Sequence, residues 1–316
     1  KNTDILVSEF GLGTWAFGED ASWGEQNATK SDEVMQTSLD KGVNLFDTAP
    51  IYGRGRSEEV IGKFIKNRGV RENVIIATKL GLSWKGPEVY HDLNKKRMLE
   101  EIDRSLKRLN VEYIDIYQIH RPDEKIPVEK YAEVMLRFLK EKKIKAVGVS
   151  NFSTEQMKLF LKVCPIHSLQ PQYSMFNREI EEDILPFCME NDIYVLSYGT
   201  LHGGILSGKF NLENKPKPKD WARNNFYFNL DEPVFSINTE FFTELKKIAD
   251  KYRKTLSQLV IKWTISKDGI GSVLIGCRDS EQVNYNLGGF DCDISQEDKQ
   301  KIENILRDRS ERLVNS

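Results

Sequence analysis

Asp47 and Tyr52 lie five residues apart in DTAPIYG, directly after the apolar run VNLF. A carboxylate and a phenol at the end of a strand, just ahead of a helical stretch, can hold or pass a proton once a third group links them. The same placement recurs down the chain. Lys79 ends VIIATK, His120 ends IDIYQIH, Ser150 and Asn151 follow AVGV, and Gln172 ends SLQPQ. Tyr198 follows IYVLS, and Arg278 stands two residues after SVLIG. Each residue alone has a plain structural reading. An aspartate after a strand is a common turn former, an isolated lysine is commonly a solvated charge, and a lone strand-end histidine is more often structural than catalytic. What stands out is position: polar groups close successive apolar runs, as they would around a single mouth.

Positioning such groups requires a particular set of elements. Short β-rich runs (FGLGT, VNLFD, VIIATK, IDIYQIH, AVGVS, SLQPQ, IYVLS and SVLIG) alternate with amphipathic stretches. KKRMLEEIDRSLKRLN carries Met98, Ile102, Leu106 and Leu109 at helical spacing. Ser153, with Gln156 three residues on, reads as a helix cap. Eight strands each followed by a helix predict a (β/α)8 TIM barrel, about 250 residues plus insertions, with extra C-terminal helices. A doubly wound open sheet is the alternative that fewer strands would favour. A barrel puts functional residues at the carboxyl ends of its strands. Strand parity agrees: Ile75, Ala77 and Lys79 share one side, as do Val43, Leu45 and Asp47. After the seventh strand comes a long Pro-rich and aromatic insertion, ENKPKPKDWARNNFYFNLDEP. Over 211–235 it is too long for an ordinary connection and reads as a lid or binding loop. Its Trp221, Phe226, Tyr227 and Phe228 would cover a substrate or pack on the barrel. No other linker breaks the pattern, so residues 1–316 are expected to form one domain.

Composition narrows the function classes. The chain is 39% hydrophobic and 30% charged, enough for a sizeable core, and its net charge of -2 lacks the basic excess of a dedicated nucleic-acid binder. No apolar run approaches the roughly 20 residues that span a membrane. The chain starts at Lys1 and shows no signal peptide. Cys164, Cys188, Cys277 and Cys292 are scattered and never form C-x-x-C, which fits reduced thiols in a cytoplasmic protein. The four histidines have no metal-ligand spacing. GGILSGK, from Gly203 to Lys209, mimics a phosphate loop but continues with Phe210 where a metal-binding Ser or Thr is required. GLGTWAFG lacks the G-x-G-x-x-G spacing of a Rossmann turn.

FGLGTWAFG, NLFDTAPIYGRGRSEEVIGKFI, VIIATK, YIDIYQIHRPD, KKIKAVGVSNFS and LQPQYSMFNR together resemble the aldo-keto reductases, over nearly the whole chain. SYGTLHGGILSGKF resembles most the bacterial inositol-dehydrogenase-like and general-stress-protein branch, although Gly199 and Thr200 depart from the usual YSPL. The resemblance implies a (β/α)8 barrel that binds NADP(H) in extended form without a Rossmann domain. It also implies a catalytic set of Asp47, Tyr52, Lys79 and His120. Reducing a carbonyl takes a hydride to carbon and a proton to oxygen; the cofactor supplies the first and the protein the second. A free tyrosine, with a pKa near ~10, is a sluggish acid at neutral pH. A lysine cation about 4 Å from a phenol favours the phenolate by about 4 kcal/mol at an effective dielectric near 20. Tyr52 would then be the proton donor, Asp47 would hold Lys79, and His120 would orient the carbonyl.

The cofactor positions implied by the same resemblance run along the later strand ends. Asp47, Ser150, Asn151 and Gln172 would lie on the nicotinamide side, with Tyr198 stacked on the ring. Gly199, Thr200, Leu201 and Gly203 would cradle the pyrophosphate near Lys209. In GCRDSEQVNYN, Gly276 opens the adenosine segment, Arg278 would read the 2′-phosphate, and Gln282 and Asn286 would meet the adenine end. LIG stands where many relatives have IPG. Thr14 and Trp15 would line the nicotinamide and substrate side, and Trp84 the substrate pocket; Tyr90 also follows the third strand. The expected partner is a small-molecule carbonyl, with no nucleic acid and no membrane; oligomeric state stays open. Two other functions share this fold: a cofactor-binding regulatory subunit, as in the potassium-channel β subunits, and a polyol dehydrogenase working in the oxidative direction.

Overall fold

The eight apolar runs close on themselves. In the computed structural model, which describes residues 3–18, 27–209 and 232–315, ten strands form. They are β1 (Phe10–Gly13), β2 (Leu45–Asp47), β3 (Ile75–Leu80), β4 (Leu82–Lys85), β5 (Glu88–His91), β6 (Ile114–Ile119), β7 (Ile144–Ser150), β8 (Ser168–Gln170), β9 (Tyr194–Tyr198) and β10 (Ile270–Gly276). Eight make a closed parallel barrel in the order β1-β2-β3-β6-β7-β8-β9-β10, with β10 pairing back onto β1. That closure excludes the open doubly wound sheet. The remaining two, β4 and β5, form an antiparallel hairpin that the sequence reading did not anticipate.

The described helices flank the barrel: α1 (Ala28–Asp40), α2 (Arg56–Arg68), α3 (Lys95–Leu109), α4 (Val128–Lys140), α5 (Thr154–Leu161), α6 (Ile184–Glu190), α7 (Val234–Lys251), α8 (Leu256–Ile265), α9 (Ser280–Leu287) and α10 (Gln296–Val314). Local chemistry sets their ends. Ser153 and Gln156 form the expected capping box at the start of α5, and Thr255 with Gln258 does the same for α8. On α3, Met98, Ile102 and Leu109 are buried and Leu106 is partly buried against the core, as their spacing predicts. The segment 211–235, read as a lid, lies outside the described residues except for its last four, which lead into α7. Among the described residues no helix is long and apolar enough to cross a membrane.

Two apolar layers hold the barrel. The larger joins the outer strand faces to the helices. The smaller fills the barrel with Leu45, Ala77, Ile116, Ala146, Leu196 and Leu274. Strand side chains alternate faces, so the residue two positions further along each strand points the same way. Those residues are Asp47, Lys79, Gln118, Gly148, Tyr198 and Gly276. The small and branched floor beneath a polar rim is therefore present, with one correction. Val43 precedes β2 and packs in the outer layer, because only Leu45 to Asp47 are extended in the sheet.

Candidate active site

Asp47 is the centre of the mouth. Lys79 Nζ donates to both of its carboxylate oxygens, at 2.9 Å to Oδ1 and 2.8 Å to Oδ2, and both residues are buried. The same ammonium reaches the Thr48 carbonyl at 3.0 Å and the Tyr52 hydroxyl at 3.3 Å. Carboxylate and phenol are thus joined through a lysine from the neighbouring strand. Gln170 Nε2 donates to Asp47 Oδ1 at 2.8 Å and Gln118 Nε2 at 3.5 Å, while Gln170 Nε2 also lies 3.4 Å from Gln118 Oε1. Burying two charges is costly unless their remaining hydrogen-bonding capacity is filled, and these two carboxamides fill it. Sequence reading missed both. The signal was parity: Gln118 lies two residues before His120, and Gln170 two before Gln172.

The loop carrying Tyr52 is held from both sides. Thr14 Oγ1 donates to the Asp47 carbonyl at 2.8 Å and lies 2.8 Å from Ser57 Oγ, which in turn donates to the Thr14 carbonyl at 2.9 Å. Thr14 therefore ties β1 to β2 and to the first turn of α2. At Gly18 and Gly53 the backbones touch: a Cβ on Gly53 would lie 2.0 Å from the Gly18 carbonyl oxygen. Trp15 stacks on Tyr52 with ring centres 5.7 Å apart and planes inclined by 19°. His120 meets Tyr52 edge-on at 6.1 Å and 90°. Burial, followed by the positive charges of Lys79 and Arg121 and the neighbouring His91, holds the His120 imidazole well below its ordinary range. His120 is accordingly neutral at physiological pH and can donate one hydrogen bond to an oxygen beside Tyr52.

A second cluster adjoins the first. Asn151, in the left-handed region at φ 59°, directs its Nδ2 to the His120 carbonyl at 3.1 Å and to Ser150 Oγ at 2.9 Å. Its Oδ1 accepts from the Tyr198 hydroxyl at 2.8 Å. Ser150 donates to the Gln170 carbonyl at 2.8 Å, and Gln172 pairs with Tyr198 just beyond the end of β8. Past β9 the chain turns tightly, with Gly199 at φ 79°. Leu201 precedes the 3-10 turn His202–Ser207, Gly203 lies within it, and Lys209 approaches it at Gly204. Thr200 Oγ1 is buried with no hydrogen-bond partner among the described residues. At the end of β10, Gly276 sits in register with Gly13; two residues on, Arg278 is exposed while its backbone N–H donates to Gln282 Oε1 at 3.1 Å. Gln282 also bonds Asp279, the N-cap of α9, and the buried Asn286 points its Nδ2 at Cys277 Sγ, 3.5 Å away. Trp84 stands on the β4–β5 hairpin, where it lines a cavity against α3.

A profile of the Aldo/keto reductase family matches residues 9–307. The chain belongs to the aldo/keto reductase family. It is 40% identical over 306 residues to the aldo-keto reductase YhdN of Bacillus subtilis, covering 96% of this chain and 92% of that one. It is 30% identical over 325 residues to the NADH-specific methylglyoxal reductase of Escherichia coli, covering 98% and 97%. The solved structure of the glycerol dehydrogenase AKR11B4 from Gluconobacter oxydans superposes with a TM-score of 0.89 at 35% identity, covering 97% of this chain and 93% of that one. This aldo/keto reductase is an oxidoreductase that uses a nicotinamide cofactor.

Proposed function

We propose that this aldo/keto reductase is an NADPH-dependent carbonyl reductase in which Tyr52 gives the proton to the carbonyl oxygen. The observation that carries the proposal is the single ammonium of Lys79 bridging buried Asp47 and the Tyr52 hydroxyl, 3.3 Å away. A cation at that distance stabilises the phenolate left after proton transfer. His120, neutral, orients the carbonyl oxygen beside the phenol. Trp15 packs against Tyr52 and closes one side of the substrate space.

The residues also suit the cofactor. Ser150, Asn151 and Gln172 present hydroxyl and carboxamide groups at adjacent strand ends, and Tyr198 offers a ring beside them. The glycine-bearing turn after β9, with its orphaned Thr200 hydroxyl, suits an anionic group. Loops after the seventh and eighth barrel strands are where such folds bind phosphate. Arg278 supplies a guanidinium for the 2′-phosphate. When bound, the nicotinamide supplies the hydride to carbon. The turn SYGTLHGGILSGKF is also what supports placing the chain near the inositol-dehydrogenase-like and general-stress-protein branch.

The test is a screen of aldehydes, ketoses and dicarbonyls with NADPH and with NADH, following cofactor absorbance. The proposal expects turnover on at least one class with NADPH preferred. Tight cofactor binding without turnover on any class would instead fit a regulatory subunit. The likeness to a glycerol dehydrogenase supports a second reading, polyol oxidation on the same groups with Tyr52 as base. Running the screen with polyols and NADP+ decides whether that direction operates.

A further inference from the structure

Outside the catalytic mouth, the hairpin β4–β5 and helix α3 line a solvent-open cleft of about 270 Å³. That volume lies near the lower end of small-molecule pockets, about 300–1,000 Å³. Trp84 and Tyr90 wall it from the hairpin; Arg97, Glu101, Arg104 and Arg108 wall it from the helix. Positions 97, 101, 104 and 108 follow at intervals of four, three and four, so they share one helical face.

The wall itself carries three guanidinium groups and one carboxylate, Glu101, while Glu58 and Glu100 pair with Arg108 and Arg104 from outside it. Burial pushes the Glu101 carboxyl up to about 7 despite Arg97 beside it. Its charge is therefore only partly developed at neutral pH. Arg97 donates through Nε to Ser83 Oγ at 2.9 Å and through Nη2 to Glu101 at 3.2 Å, but its Nη1 is buried with no partner among the described residues. Arg108 donates through Nε to the buried Glu58 at 2.6 Å. Among the described residues, Arg104 has only a surface pair with Glu100, at 3.1 Å.

The geometry points to a second ligand site in this cleft, for a small organic oxyanion held by Arg97, Arg104 and Arg108 with its planar part against Trp84 and Tyr90. Forked guanidinium donors match phosphate and carboxylate alike. The walls also touch the catalytic elements. Arg108 packs against Gly55, three residues after Tyr52, and Glu58, its ion-pair partner, accepts from Thr78 Oγ1, beside Lys79. Arg54 Nη2 donates to the Gly86 carbonyl at the hairpin tip, 2.6 Å away. The site is distinct from the 2′-phosphate position at Arg278, which lies after β10.

Isothermal titration of the full chain tests this, using inorganic phosphate, phenyl phosphate, malonate and phthalate, each with and without saturating NADPH. Saturable binding at one site is expected with NADPH bound, when the cofactor fills its own phosphate positions, and that site should persist without it, with the aromatic probe of each pair tighter. The stronger pair, phosphates or dicarboxylates, names the ligand's head group. Arg104→Gln, at an exposed position where substitution spares the fold, should weaken binding about tenfold or more. Glu101→Gln, which removes the opposing charge, should tighten it. Absence of saturable binding by all four probes overturns the proposal. So does binding that both substitutions leave unchanged, or binding that NADPH abolishes, since either would put the anion elsewhere.

Discussion

Replacing Tyr52 by Phe removes one oxygen from the mouth, and the structure sets what should follow. Lys79 Nζ keeps its two bonds to Asp47, at 2.9 and 2.8 Å, and its bond to the Thr48 carbonyl at 3.0 Å. The hydrogen bond that disappears is the longest of the four, 3.3 Å to the phenol. A net cost of about 1 kcal/mol is expected for such a bond, a shift in Tm of about 1–2 °C in a chain of this size. The ring still stacks on Trp15. Turnover should fall far more, because removing a positioned general acid costs about 10²–10⁴-fold. Cofactor affinity should hold. Lys79→Met is the contrast: it strands the buried Asp47 carboxylate, and breaking a buried pair costs about 3–5 kcal/mol. Thermal unfolding, cofactor fluorescence titration and steady-state turnover, run on both variants, separate the two effects. A folded Tyr52→Phe protein with near-wild-type turnover would refute Tyr52 as the proton donor.

Three further outcomes follow from particular side chains. His120→Gln keeps a hydrogen-bond donor at the carbonyl and should retain part of the turnover, whereas His120→Ala should lose far more; equal, small losses would remove His120 from the site. Arg278→Ala should weaken NADPH binding about tenfold or more while leaving NADH nearly unchanged, since a charge-assisted bond to phosphate is worth about 1.5–3 kcal/mol; an unaltered affinity ratio would show that Arg278 does not read the 2′-phosphate. The raised pKa of Glu101, about 7 against an ordinary 4.5, means that the unfolded chain gives up this proton first as pH rises. Stability should therefore decline between those two values, by about 3 kcal/mol from this group, and stay level above them. Denaturant unfolding of Glu101→Gln at pH 5 and pH 7.5 should show that decline shrunk, and an unchanged difference would contradict the assignment.

The barrel was legible because its strands obey two rules at once: short apolar runs in regular alternation with helices, and polar residues at their carboxyl ends. Asp47, Lys79 and His120 could be read from position, since parity with Leu45, Ala77 and Ile116 fixes the direction of their strands once the barrel closes. The hairpin was not legible. LSWKGPEVYH has two short strands around Gly86, and among the described residues they pair only with each other. Gln118 and Gln170 were hidden for another reason. A glutamine inside an apolar strand gives no local sign of what it meets, and Asp47 is 71 residues from one and 123 from the other. The arginines of α3 carried no sign of a site, because the hairpin that covers them comes from a different element.

The donors and acceptors around Lys79 also decide which way the Tyr52 proton points. An ammonium has three protons and accepts nothing. Asp47 and the Thr48 carbonyl are pure acceptors, so the ammonium must be the donor to both; with one proton shared between the two Asp47 oxygens and one on the Thr48 carbonyl, the third is directed at the phenol oxygen. Tyr52 therefore receives a hydrogen bond from Lys79, and its own proton is turned away from the lysine. Gln118 and Gln170 make this arrangement stiff. By donating to Asp47 Oδ1 they fix the carboxylate plane, which fixes the ammonium, which fixes the acceptor side of the phenol. Two neutral carboxamides, acting on Tyr52 only through Asp47 and Lys79, thereby help to set the direction in which its O–H points.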